Sequence, residues 1–174
     1  HAHDLHEDIA RVHTNYAEYA IFACDWPLAQ RLVREGLSFD VKHGLDAWTT
    51  YLRGRHAQLH LRRGRLEQAE TLAASVLAEE GHTILMQLPA RTTLASVRSL
   101  TGAEDAEEQL LKILDIALGM REQQRITPVR LALIQHYFLS GRNDLARQQA
   151  REMLDFGTDV LRPWDAGALY VWLR

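Results

Sequence analysis

Leucine and alanine at helical spacing, interleaved with Arg, Glu and Gln, run through almost the whole chain, and few segments are rich in β-branched residues. Helix-compatible stretches cover 5–23, 26–43, 47–63, 65–79, 87–101, 104–121, 127–140, 142–157 and 163–174, separated by short breaks. With four prolines and ten glycines to interrupt it, the pattern predicts an all-α protein.

The breaks repeat. GRLEQA at 64–69 returns as GRNDLA at 141–146, CDWPLA at 24–29 stands in a matching place, and GAEDA at 102–106 is a one-residue-shorter version. Aligned on their alanines, Ala29, Ala69, Ala106 and Ala146 are spaced by 40, 37 and 40 residues. A period near 40 implies helical hairpins, with units at about 5–43, 47–81, 87–121 and 127–157 and a terminal helix over 163–174. Small residues (Ala17, Ala20, Ala57, Ala95) sit mid-way along the first helices, where axes can approach to the short end of the usual range of about 8–10 Å. Large residues such as Leu32, Leu59, Leu72, Leu110, Leu133 and Leu154 fill the space between units. Units of this kind bury their apolar faces against neighbours, which is a solenoid arrangement.

A small residue mid-way along the first helix, glycine at the turn and alanine early in the second helix resemble the tetratricopeptide repeat. The period here exceeds its usual length, with the excess between units in VKHGLDAW and AEEGHTILMQLP. The C-terminal segments RITPVRLALIQHYFLSGRNDLARQQAREML and RPWDAGALYVWLR, with Pro163, Trp164, Ala166, Gly167, Leu169, Trp172 and Leu173, resemble the helical repeat region of bacterial LuxR-type, MalT-like transcription regulators and related signal-transducing ATPases. The resemblance implies one domain over 1–174, a right-handed superhelix of about four hairpins plus the terminal helix, excerpted from a longer sensor. It also implies a concave groove lined by the first helices: Arg11, Thr14 and Glu18 in the first unit, Tyr51, Gln58 and Arg62 in the second, Thr92 and Ser96 in the third, Gln135 and Phe138 in the fourth. That mixed lining suits a protein, peptide or neutral small-molecule effector, and lacks the Lys, Arg and Asn set that clamps a chaperone's terminal carboxylate.

Composition narrows the chemistry. A formal net charge of −3 gives no general attraction to nucleic acid or anionic membranes. The single cysteine, Cys24, excludes an internal disulfide and a multi-cysteine zinc site, and the expected location is the cytoplasm. No apolar run approaches the roughly 18 residues of a membrane span, and HAHDLHEDIARV has neither a basic start nor an apolar signal core. No GxxxxGK[ST] loop is present to hold a nucleotide, so no cofactor is implied. Arg53, Arg55, Arg62, Arg63 and Arg65 with His56 and His60 could neutralise phosphate, but at about 100° per residue they scatter around a helix, so direct nucleic-acid binding is not expected. His3, His6 and Glu7 could share a helical face with His1 and His13 nearby, yet a chain end holds zinc poorly. Cys24 takes the turn position that is Gly64, Gly102 and Gly141 in other units, where a small residue at a hairpin corner accounts for it. The acids Glu79, Glu80, Asp105, Glu107 and Glu108 fall at helix ends. The chain therefore reads as non-enzymatic, without catalytic or metal residues: a sensing or interaction region, with a scaffold or oligomerisation module as the alternative and self-association through the terminal helix as a further expectation.

Overall fold

The computed structural model describes residues 2–155 and 165–169. Those residues form α1 (Ala2–Phe22), α2 (Trp26–Lys42), α3 (Asp46–Arg62), α4 (Leu66–Leu77), α5 (Ile84–Leu100), α6 (Ala106–Met120), α7 (Gln123–Leu139) and α8 (Asn143–Asp155), with 165–169 also helical. No strand occurs among the described residues, and no helix there is long and apolar enough to cross a membrane. The all-α expectation holds, with most helix ends within two residues of the sequence reading. The exceptions are α1, α5 and α7, which begin three to four residues earlier than expected, leaving Pro89 and Pro128 inside α5 and α7. A proline removes one backbone donor and is tolerated near a helix start; in α5, Thr83 before it accepts from the Met86 and Gln87 amides and lets the helix begin early. Pro163, Trp164, Trp172 and Leu173 of the expected terminal helix lie outside the described residues.

Five corners share one geometry. Cys24, Gly44, Gly64, Gly102 and Gly141 have φ of 58°, 65°, 72°, 78° and 75°. The amide after each reaches back five residues: Asp25 to Ala20, Leu45 to Asp40, Arg65 to His60, Ala103 to Arg98 and Arg142 to Tyr137, at 2.8–3.0 Å. Each corner thus satisfies carbonyls that a helix end leaves open. Glycine adopts positive φ without strain, whereas Cys24 does so against its Cβ. The next helix begins after one residue at four of the corners and after three at Gly102, and at the first corner the Asp25 carboxylate accepts the Leu28 amide at 3.1 Å.

The chain divides into two units, His1–Val97 and Arg98–Arg174, the division falling within α5. In the first, α1 packs on α2 and both pack on α3, which packs on α4. Ala17, Ala20, Ile21, Ala29, Leu32, Val33, Leu52 and Leu59 form one core, with Trp26, Leu28 and Leu37 against it. Ala57, Ala73, Val76 and Ala90 form another, with Leu72, Leu77 and Leu94. Two mid-helix glycines mark the closest approaches. A Cβ on Gly36 would lie 2.5 Å from Leu52 and 3.1 Å from His13; one on Gly54 would lie 2.9 Å from the Ala90 nitrogen and 3.0 Å from Pro89. In the second unit α7 packs on α6 and α8, around Leu110, Leu133, Ile134, Ala146, Ala150 and Met153, all at most 2% exposed.

Cys24→Gly relieves the corner strain and is expected to raise unfolding free energy by about 1 kcal/mol, measured by chemical denaturation. Gly54→Ala must displace backbone, and despite its better helix propensity is expected to lose about 1–2 kcal/mol; the more distant Ala69→Leu is expected to lose about 1–3 kcal/mol by overpacking.

Candidate functional site

One polar block draws together several sequence-predicted residues. Arg55 of α3 is 4% exposed, too deep for a lone charge to be tolerated. Its guanidinium meets the Glu18 carboxylate of α1 at 2.9 Å, donates to the Tyr51 hydroxyl at 2.9 Å and to Gln58 Oε1 at 2.9 Å, and stands 5.1 Å from the Tyr51 ring centre. Burial opposes the charged guanidinium, but Glu18 and the Tyr51 phenol outweigh it and its pKa moves up. Glu18, Tyr51 and Gln58 were expected from the repeat register. Arg55, which holds them, was only one of a scattered arginine cluster, and the available signal was its spacing of four and three from Tyr51 and Gln58.

The rest of that cluster does scatter. Arg53 turns to Glu79 and Ser75. Arg62, exposed in the last turn of α3, lies 5.4 Å from the Phe22 ring centre of α1. No carboxylate pairs with Arg62 among the described residues. Arg11 is exposed, pairs with Asp8 at 3.3 Å and approaches the Trp48 ring to 5.9 Å.

The remaining predicted residues are placed differently. Thr14 is 1% exposed, with no hydrogen-bond partner on its hydroxyl. Thr92 and Ser96 are 8% exposed and return their hydroxyls to Leu88 O and Thr92 O of their own helix, at 2.9 and 2.7 Å. In the second unit Gln135 is partly buried and Phe138 is 50% exposed. A shallow depression of about 480 Å³ lies on the α1–α2 hairpin, lined by His13, Arg34, Glu35, Ser38, Phe39 and Lys42; no predicted groove residue borders it.

The second unit carries a constellation that spacing does not reveal. The Ser99 hydroxyl is 2.9 Å from His136 Nδ1, while Arg142 donates to His136 Nε2 at 2.9 Å and to Glu107 at 2.8 Å. Serine, histidine and glutamate side by side invite comparison with a hydrolytic triad. The proton inventory denies it. Arg142 can only donate, so Nε2 accepts and Nδ1–H points at Ser99, leaving no lone pair to take the serine proton. Burial, then the Arg142 charge, pushes the His136 pKa down despite Glu107, which favours the neutral ring. Burial works against ionisation of Glu107, but Arg142 outweighs it and the pKa falls; burial and Glu107 raise that of Tyr137. The cluster ties α6, α7 and the following corner together.

Among the described residues, no group of three or more His, Cys, Asp and Glu could hold a metal ion. His6 stacks on His43 at 3.9 Å, and His13 meets the Phe39 ring edge at 5.8 Å; His1 and the side chains of His3 and Asp4 lie outside the described residues. Asp40 is fully buried with both carboxylate oxygens unpartnered, and burial pushes its pKa up to about 6. His56 and His60 stack at 4.8 Å, and burial pushes both of them down.

No protein-family model, curated protein or solved structure matches this chain.

Removing one partner of the buried pair, as in Arg55→Met, leaves Glu18 uncompensated and is expected to lose about 3–5 kcal/mol; the double change Arg55→Met with Glu18→Leu should recover most of it, read by denaturation as a double-mutant cycle. Because the Asp40 pKa is raised, its contribution is present below its ordinary value of 3.8 and is lost as pH rises through about 6. Asp40→Asn is therefore expected to gain about 3 kcal/mol at pH 7–8, with the gain vanishing towards pH 4 in melts across that range. His56 and His60 act with opposite sign, losing stability as pH falls below 6.5, and set the background that this variant must be compared against.

Proposed function

We propose that this chain is a non-enzymatic interaction and sensing module, a tetratricopeptide-like solenoid whose first helices bind a protein, peptide or small-molecule effector. The observation that carries the reading is Arg62: an exposed guanidinium over Phe22, without an ion-pair partner among the described residues, on the same face of α3 as Tyr51, Arg55 and Gln58. At about 100° per residue, positions 51, 55, 58 and 62 fall within an arc of about 60°. The face therefore offers a phenol, an amide and a cation in a row. Arg55 orders the first two before any ligand arrives, which lowers the conformational entropy lost on binding. Planar cations and carboxamides suit carboxylates, backbone carbonyls and sugar hydroxyls.

The regulatory role rests on the resemblance of the C-terminal segments to LuxR-type regulators, with a cytoplasmic location. Signalling in such a module requires a ligand with different affinity for two arrangements of the chain. The tautomer of His136 supports the non-enzymatic reading, since the constellation closest to a nucleophile–base pair has its proton on the wrong nitrogen.

A thermal-shift screen of peptides and oligosaccharides tests the reading. At least one class is expected to raise the melting temperature, and Arg62→Ala and Gln58→Ala should each weaken that ligand by tenfold or more, on the order of 1.4 kcal/mol. A flat screen accompanied by a stable complex with a protein partner would replace it with the scaffold reading.

A further inference from the structure

We propose that the depression on the α1–α2 hairpin binds a small aromatic carboxylate, anchored by Arg34 and Lys42 and seated against the Phe39 and His13 rings. The depression measures about 480 Å³ and is lined by His13 of α1 and by Arg34, Glu35, Ser38, Phe39 and Lys42 of α2. That volume lies within the range of about 300–1,000 Å³ that small-molecule sites occupy.

The repeat shows why the gap is there. Advanced by the 40-residue period, positions 13, 34, 35 and 39 become Arg53, Ala74, Ser75 and Glu79. In the α3–α4 hairpin Arg53 reaches across to Glu79 and to Ser75, so the chain closes this level with its own ion pair. In the α1–α2 hairpin His13 meets only the Phe39 ring edge, at 5.8 Å, and a guanidinium stands where the other hairpin has Ala74. The α3–α4 hairpin has α1 and α2 packed before it, yet Arg53 and Glu79 keep 26% and 40% of their side chains exposed. This side of a hairpin therefore faces solvent even where another unit precedes it.

The lining selects the ligand. Arg34, Ser38 and Lys42 recur at four-residue intervals and fall within an arc of about 80° on α2. All three are exposed, and none has a side-chain partner among the described residues. Two cations and a hydroxyl can thus turn to one acceptor group without breaking an existing bond. Glu35 stands on the same rim, also without a partner, so two cations and one carboxylate leave a single positive charge beside His13. One ligand carboxylate balances it, whereas a phosphate dianion overshoots, and the guanidinium fork suits a carboxylate. Phe39 is partly buried and held between the His6 ring at 5.8 Å and the His43 ring at 4.4 Å. It offers an ordered surface for an aromatic ring, which the aliphatic stems of Arg34 and Lys42 extend.

Titration of the full chain with phenylacetate, followed by amide NMR shifts at about pH 8, above the ordinary histidine range, tests the proposal. Saturable shifts at Ser38 and Phe39 are expected at millimolar ligand, weakening as salt is added. Acetate, which lacks the ring, and 2-phenylethanol, which lacks the charge, should each bind more weakly than phenylacetate. Arg34→Ala and Lys42→Ala should each weaken phenylacetate about three- to fivefold, as exposed ion pairs do, and Glu35→Gln should tighten it, with the helical circular-dichroism spectrum unchanged in all three. No saturable shift at tens of millimolar ligand, tighter binding of phenyl phosphate than of phenylacetate, or an affinity unchanged when Arg34 and Lys42 are both replaced by alanine overturns the proposal. Arg62→Ala leaves phenylacetate binding intact, so this result is read separately from the α3 face.

Discussion

The corner at positive φ is the constraint from which the rest of the architecture follows. Once the amide beyond a helix reaches back five residues, the chain reverses and the next helix must lie beside the last. An apolar face that would be marginal on an isolated helix then has a partner in reach. Four of the five corners use glycine. The fifth uses Cys24 and keeps the same hydrogen bonding, so native packing outweighs its local strain. The corner at Gly44 joins α2 to α3 with the geometry used inside the hairpins, which is why α3 packs on both α1 and α2.

Close packing then decides where polarity can survive. Where Gly36 and Gly54 let helices touch, polar residues are self-satisfied, as Thr92 and Ser96 are, or assembled into a block, as Glu18, Tyr51, Arg55 and Gln58 are. The Thr14 hydroxyl and the Asp40 carboxylate are among the exceptions, buried without a partner, and at Asp40 the raised pKa is the electrostatic consequence. The same burial that orders Arg55 and pairs it with Glu18 leaves Arg62, two turns further along the same face, on the surface with its charge uncompensated by any described carboxylate. Ordered side chains therefore lie beneath an exposed cation on one face of α3.

Helix content, corner positions and the hairpin period were legible in the residues themselves, because backbone hydrogen bonding, glycine conformation and apolar spacing act over a few neighbouring positions. Glu18, Tyr51 and Gln58 could be singled out for the same reason: a repeat register is a local property. The early starts of α5 and α7 were less legible, since a proline reads as a helix start although it tolerates a preceding turn. Only the tertiary structure decided that Arg55 organises those three residues, that Thr14, Thr92 and Ser96 turn inward, and that His136 carries its proton towards Ser99. Each depends on which side chain from a distant segment arrives within about 3 Å. The sequence determined which faces are apolar; only the packing decided which of them are covered and which polar groups find a partner, because burial and hydrogen bonding are set by neighbours across space.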